Sequence, residues 1–300
     1  MTENHGLSHP RRLRAAIEAS GMPVLPGAYD GVSARLIARA GFDAIYFSGG
    51  LSSSSFPGMP DFGTRTLTEA VAQVGGAVRA TGLPVLADGE AGFGSVLSVQ
   101  RLVWEMESVG AAGLHLEDQD VPRRCGHYEG KRLVSTATHV GRLRAAIDSR
   151  RDPEFLIVAR TDAIAVTGFE DALTRAREYR AAGADVVFFD GVQTREQLEQ
   201  IPRLIDAPVM ANMVEGGVTP FLPAAELEAM GYAIAIYPTT PYFAAIGAMR
   251  DVLQTLATHG TSDPMAERMG TFREWQELTG VEEAMDYVRR FEPEEAHVGV

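Results

Sequence analysis

One short pattern recurs along this chain and constrains its fold more than any other feature. It consists of the end of a helix, a glycine, a short apolar run and then a polar residue. The pattern stands at residues 40–48, 109–117, 182–190 and 230–238, reaching Ser48, Glu117, Asp190 and, just past Pro238, Thr239. A glycine there serves as a helix C-cap, and an apolar run of a few residues reads as a strand buried on both faces. Between these copies lie further apolar runs at 23–28, 83–88, 155–160 and 207–212, three of them closing on Asp88, Arg160 and Asn212. Together they predict eight strands. Helical patterns separate them. Thr66 and Glu69 form a capping box, and residues 135–147 and 169–182 carry helical apolar spacing. Strands alternating with helices predict parallel βα units, and eight such units predict an α/β fold of the (β/α)8 TIM-barrel type. A doubly wound open sheet is the competing arrangement. The units run on without a linker, so residues 1–300 are read as a single domain, with the barrel over about 22–258. Residues 9–20 predict a helix before the first strand, and residues 262–295 predict extra C-terminal helices packing on another subunit or on their own barrel.

The net charge of −13 argues against nucleic acid or an anionic membrane as partner. Binding of a small anionic substrate depends on local cations instead. With one cysteine in 300 residues there is no intrachain disulfide framework. No stretch resembles a signal peptide or a membrane span, so a cytoplasmic protein is expected.

In a barrel of this kind, side chains at the strand C-termini converge on one mouth. Here they are Tyr46, Ser48, Asp88, Glu90, Glu117, Asp118, Arg160, Asp162, Asp190, Asn212, Glu215, Thr239 and Thr240. So many carboxylates raise one another's pKa values unless a cation joins them. Hard oxygen donors without a histidine cluster favour Mg2+ or Mn2+ over zinc. Asp88 and Glu90, two apart on a strand, project the same way and are the first candidate metal ligands, directly or through water. Glycines follow strands two and three (Gly49 and Gly50, Gly92 and Gly94). Free backbone N–H groups there suit a carboxylate or phosphate, and a plain turn is the equal alternative. Arg160 ends a buried strand and needs an anionic partner, either a substrate carboxylate or Asp162 or Glu117.

The cysteine lies in Arg123-Arg124-Cys125-Gly126-His127, with Lys131 and Arg132 following. Polar neighbours make a core position a poor fit, and the surrounding cations predict a loop-borne thiol with its thiolate favoured.

These residues resemble the isocitrate lyase and phosphoenolpyruvate mutase superfamily from about residue 20 to 250. The likeness is carried by residues 88–94, 113–119, 123–127, 159–163 and 211–217, and the cysteine-glycine-histidine loop is its most specific element. The resemblance implies a (β/α)8 barrel whose last helix is swapped between subunits of a homodimer or homotetramer. It also implies a Mg2+-dependent enzyme acting on small 2-oxo or 2-hydroxy carboxylates. Within the superfamily the likeness is to 2-methylisocitrate lyase-type members. It implies that Tyr46, Ser48, Gly49 and Gly50 hold the oxo-acid half with Asp61 nearby. Asp88 and Glu90 would hold the metal, helped by Glu117 through water. Arg160 and Asn212 would bind carboxylate oxygens, with Gly126, His127, Glu215 and Thr239 completing the site. Cys125, on a closing loop over about 119–133, would protonate carbon after retro-aldol cleavage releases a 2-oxo acid such as pyruvate. The proton acceptor for the hydroxyl is left open between Tyr46 and a metal-bound water.

The sequence departs from that pattern at Gly89 and Glu90 (usually alanine and aspartate), at Asp190 (usually glutamate) and at Thr239 (commonly leucine). The departures cluster where substrate selection occurs and argue against 2-methylisocitrate itself. A carboxyphosphonoenolpyruvate-type phosphonomutase, oxaloacetate hydrolase and 2,3-dimethylmalate lyase stay open as alternatives. A non-catalytic barrel that binds an oxo acid is the remote one.

Overall fold

The computed structural model describes residues 6–19 and 21–292. The expected ends of the first helix, at Ser20, and of the C-terminal helices, at residues 293–295, lie outside the described residues.

Eight parallel strands close into a barrel in sequence order. They are β1 (Val24–Ala28), β2 (Ile45–Phe47), β3 (Val85–Asp88), β4 (Gly113–Glu117), β5 (Leu156–Thr161), β6 (Val186–Phe189), β7 (Val209–Asn212) and β8 (Ile234–Tyr237). Closure comes from β1 lying parallel to β8, with Val24 opposite Ala235 and Pro26 opposite Tyr237. The competing open sheet is thereby excluded. The helices up to the barrel's end are α1 (His9–Glu18), α2 (Gly31–Arg39), α3 (Gly49–Ser55), α4 (Leu67–Thr81), α5 (Val96–Ser108), α6 (Thr136–Ser149), α7 (Phe169–Ala181), α8 (Arg195–Leu204) and α9 (Ala224–Met230). Three more follow, α10 (Thr240–His259), α11 (Phe272–Thr279) and α12 (Val281–Phe291). The capping box read from the sequence opens α4: the Thr66 amide donates to Glu69 Oε2 (2.8 Å) and the Glu69 amide to Thr66 Oγ1 (3.3 Å).

Alternation along each strand divides its side chains between two layers. Leu25, Leu86, Val158, Phe188, Met210 and Ile236 fill the barrel interior, while Phe47, Ala87, Leu114 and Ile157 pack outward against the helices. Leu13 of α1 joins the interior cluster and is wholly buried. His9 and Arg14 bond to the carbonyls of Gly110 (2.7 Å) and Glu154 (2.7 Å), which precede β4 and β5. Helix α1 therefore floors the barrel at the strand N-termini and leaves the opposite mouth to the site.

Contacts divide the chain into two compact units, one up to Phe243 and one from Ala244 onward. The second holds the rest of α10, a 3-10 turn at Asp263–Arg268, and α11 with α12. No described residue of these helices is buried. Phe272 lies against Trp275 (ring centroids 5.3 Å apart) and Tyr287 against Phe291 (4.8 Å).

Candidate active site

Strand ends and the loops beyond them enclose a cavity of about 300 Å3 at the mouth. Tyr46 reaches it from β2, Ser48 from the cap of α3, Asp88 from β3, Arg160 from β5, Asn212 from β7 and Thr239 from beyond β8. Gly50, Asp61, Cys125, Gly126, His127 and Glu215 come from loops and from α3. Three expected site residues do not line it: Gly49, Glu90 and Glu117. Their bonds explain why. The Gly49 amide already donates to Asp88 Oδ2 (3.1 Å). Glu117 is wholly buried, with both oxygens taken by the Arg123 guanidinium (Nη2 to Oε2, 3.2 Å) and Arg160 near Oε2 (3.6 Å). Glu90 is bonded by Arg65 Nε (3.1 Å). The expectation that Asp88 and Glu90 project together fails because Glu90 sits at a left-handed φ of 49°, which breaks strand alternation.

Arg160 meets both protein partners expected for it, Asp162 and Glu117. It makes a bidentate pair with Asp162 (3.0 Å at each bond), touches Asp190, and lies over the Phe188 ring at 5.3 Å. Asn212 Nδ2 donates to Asp190 Oδ1 (2.8 Å), while its Oδ1 stays buried without a partner. Thr239 donates to Glu215 Oε2 (2.5 Å), and Thr240 donates to the other oxygen.

Cys125 is half-buried, its amide donating to the Asp61 carbonyl (3.1 Å). The thiolate expected from its basic neighbours is not favoured. Burial, and then Asp61, push the thiol up to about 12. The nearby cations are committed elsewhere. Arg123 goes to Glu117 and Asp61, Arg124 to the Glu129 carbonyl and the Phe62 ring, and Lys131 to the Gly126 and Tyr128 carbonyls. The loop is pinned at its base where Gln119 bridges Leu133. At its tip, His127 Nδ1 accepts the Val218 amide (3.1 Å), which assigns the ring proton to Nε2. That nitrogen is buried without a partner, 3.8 Å from Asp190 Oδ1.

Burial alone would raise the Asp88 carboxyl, but His115 and the guanidinium groups of Arg123, Arg65 and Arg160 outweigh it and hold it below the usual range. For Asp190, the Arg160 guanidinium, with the Asn212 hydrogen bond, likewise outweighs burial. Burial raises Glu117 and Glu90 against the pull of their arginines. His115, wholly buried by β4, shares a 2.9 Å hydrogen bond with the Tyr46 hydroxyl, which also reaches Asp88 Oδ2 (3.3 Å). Burial lowers its pKa to about 4, so the ring is neutral at pH 7.

Arg65, His115 and Arg123 are absent from the sequence-based set. His115 carries a legible signal, since it lies two residues before Glu117 and so shares its inward face. Arg123 is visible as a charge but not as the specific partner of Glu117 and Asp61. Arg65 precedes a helix cap, and nothing in its local pattern marks it.

Among the described residues, no cluster of three or more carboxylate, histidine or cysteine side chains is gathered as a metal cage. The donor set nonetheless fits Mg2+. Asp88 is an ionised carboxylate facing the cavity, and Mg2+ binds through one or two carboxylates while keeping several waters.

The profile of the phosphoenolpyruvate phosphomutase family matches residues 13–257. Among characterised relatives, 2,3-dimethylmalate lyase of Eubacterium barkeri is 43% identical over 271 residues, covering 90% of this chain and 94% of that protein. A 2-methylisocitrate lyase of Aeropyrum pernix is 39% identical, covering 93% of this chain and 88% of its own. Among solved structures, 2,3-dimethylmalate lyase superposes with a TM-score of 0.90 at 35% identity, covering 98% of this chain and 99% of that one. A phosphonopyruvate hydrolase holding oxalate and Mg2+ superposes with a TM-score of 0.85 at 26% identity, covering 95% and 99%.

Proposed function

The chain belongs to the phosphoenolpyruvate phosphomutase family of the isocitrate lyase/PEP mutase superfamily, and from that premise we propose that it is a Mg2+-dependent carbon–carbon lyase. Its substrate is a small 2-hydroxy di- or tricarboxylate of the 2,3-dimethylmalate and 2-methylisocitrate type, cleaved to a 2-oxo acid and a shorter carboxylate. One observation carries this reading: a thiol that stays protonated at neutral pH shares a cavity with an ionised Asp88 and with Arg160.

Asp88, the ionised carboxylate facing the cavity, would hold the ion, while Glu117 stays bound to Arg123 behind it. When bound, Mg2+ supplies Lewis-acid stabilisation of the oxygen that becomes the new carbonyl. Arg160 and the free Oδ1 side of Asn212 border the substrate's carboxyl and hydroxyl groups. The Tyr46 hydroxyl passes its own proton to Nε2 of the neutral His115 ring (2.9 Å) as it takes the substrate's hydroxyl proton, directly or through water. Loss of that proton forms the C=O bond, and the electron pair of the breaking C–C bond moves to the carbon beside the other carboxylate. The Cys125 S–H then delivers its proton to that carbon, and its high pKa suits a donor better than a nucleophile. With the 119–133 loop over the cavity, water is kept from the carbanion.

The partners and setting follow the same reading. The exposed apolar residues of α10–α12 support self-association into a homodimer or homotetramer by helix swapping. No described helix is long and apolar enough to cross a membrane, and we place the enzyme in the cytoplasm without a nucleic-acid partner.

The test is a screen of 2,3-dimethylmalate, 2-methylisocitrate, oxaloacetate and phosphonopyruvates with and without Mg2+. It follows 2-oxo acid release and phosphorus NMR. The expected outcome is Mg2+-dependent release of a 2-oxo acid from a 2-hydroxy carboxylate. Turnover of phosphonates alone would refute the lyase and favour the phosphonomutase alternative.

A further inference from the structure

Arg65 is 3% exposed and stands one residue before the Thr66 cap of α4. Its guanidinium is divided among three segments. Nε donates to Glu90 Oε1 (3.1 Å), Nη1 to Ser52 Oγ (2.9 Å) and Nη2 to the Asp88 carbonyl (2.9 Å). One cation thus ties α3, the last residue of β3 and the turn behind it.

That turn is sharply bent. The Glu90 amide donates back to Asp88 Oδ1 (2.9 Å), and its carbonyl accepts the Glu117 amide (3.0 Å). At Gly89 a Cβ atom would lie 2.5 Å from the His115 carbonyl oxygen, so the bend needs glycine there. The result separates the two acids. Asp88 lines the candidate active site, whereas Glu90 lines a different cavity of about 400 Å3 together with Arg65 and Arg123.

We propose that Arg65 is a positioning residue of the metal site, with Glu90 its counter-ion rather than a metal ligand, so that Asp88 alone of this turn meets the ion. The assignment rests on the reading of Asp88 as the Mg2+ ligand. Arg65 acts on the carboxylates it holds and not on substrate. Take away the guanidinium, and Glu90 loses the side chain hydrogen-bonded to it, leaving a buried carboxylate two residues from Asp88 with only the longer-range pull of Arg123. Glu90 would then be free to turn toward the ion held at Asp88 and to take the place of one of its waters.

Mn2+ binding to the metal-free protein tests this, read by electron paramagnetic resonance for affinity and by water-proton relaxation for bound waters. Glu90→Gln is expected to leave the Mn2+ Kd within about threefold of wild type, since it removes no ligand. Arg65→Met is expected to tighten Mn2+ by about tenfold and to lower the number of exchanging waters. The double variant, which removes both charges, should return to within about threefold of wild type and covers the case in which Arg65→Met fails to fold. Mn2+ binding weakened about tenfold or more by Glu90→Gln overturns the assignment, because Glu90 is then a ligand. So does Arg65→Met, or a double variant, whose Kd and hydration do not follow this pattern. If wild type binds no Mn2+, or Asp88→Asn binds it equally well, the metal reading itself fails and takes the assignment with it.

Discussion

At the residue scale, the Cys125 thiol shares its cavity with Asp61, Asp88 and Arg160, and burial together with Asp61 keeps its proton in place. Tyr46, Asp88, Arg160, Cys125 and Asn212 can be picked out because strand ends and one unusual loop mark them, and all of them line one cavity. The thiol's protonation runs the other way from the expectation, since adjacency in sequence says nothing about which carboxylate each arginine meets. Arg123 spends its charge on Glu117 and Asp61, and burial then decides the thiol. Two outcomes follow. With its pKa near 12, Cys125 should react with iodoacetamide at pH 8 at least about tenfold more slowly than a free thiol, and unfolding should abolish the difference. Cys125→Ser should lower kcat by about 10²–10⁴-fold with little change in KM, because a hydroxyl is a much weaker acid and binding is untouched. Steady-state kinetics of the purified variant on the substrate found in the screen decide the matter. A kcat within a factor of about two of wild type would remove Cys125 as the proton donor.

At the element scale, the strands and the long capped helices were legible from apolar runs and from Thr66 with Glu69. The short α3 was not. Its Gly49-Gly50 start reads as a turn, yet Ser48 caps it, with the Leu51 amide donating to Ser48 Oγ at 3.4 Å. The glycines are there for closeness, since a Cβ at Gly49 would lie 2.6 Å from Asp88 Oδ2 and one at Gly50 2.8 Å from Asp61 Oδ2. Helix α6 carries a different surprise. His139 is wholly buried edge-on to Tyr179 (ring centroids 4.6 Å apart), with neither ring nitrogen hydrogen-bonded. Burial, with Arg142 and Arg175, lowers its pKa to about 3. In the unfolded chain the ring protonates near pH 6.5, so between there and about 3 the unfolded state binds the extra proton. Folding stability from this residue is therefore full above about pH 6.5 and falls as the pH drops toward 3. His115 acts in the same direction over the range down to about 4. His139→Phe should flatten the fall of Tm between about pH 6.5 and 4.5 relative to its value at pH 8, measured by calorimetry. An unchanged slope would show that other groups set the acid limit.

At the scale of the whole molecule, barrel closure followed from counting apolar runs, because each βα unit buries its strand on both faces and only a full turn leaves no edge. The role of α1 was not legible from its own pattern. It is fixed by Leu13 entering the interior cluster and by His9 and Arg14 bonding to carbonyls ahead of β4 and β5. Since that floor is remote from the mouth, Leu13→Ala should cost about 2–5 kcal/mol in urea unfolding and leave kcat unchanged. The C-terminal helices pose the opposite problem, an apolar pattern whose partner the sequence does not name. Ile246, Met249, Leu253 and Leu256 recur at helical spacing on one side of α10, and Met285 and Val288 do so on α12. All six are exposed, as are Phe272 and Trp275 of α11. Amphipathic faces this long need a partner, and a second copy of the chain supplies an identical set. Sedimentation velocity at micromolar concentration should therefore give the mass of a dimer or tetramer. Leu253→Glu with Trp275→Glu should shift it to monomer, because two charges per subunit would have to be buried unpaired. A wild-type protein that sediments as a 32.3 kDa monomer would mean these helices are covered some other way, and helix swapping would be abandoned.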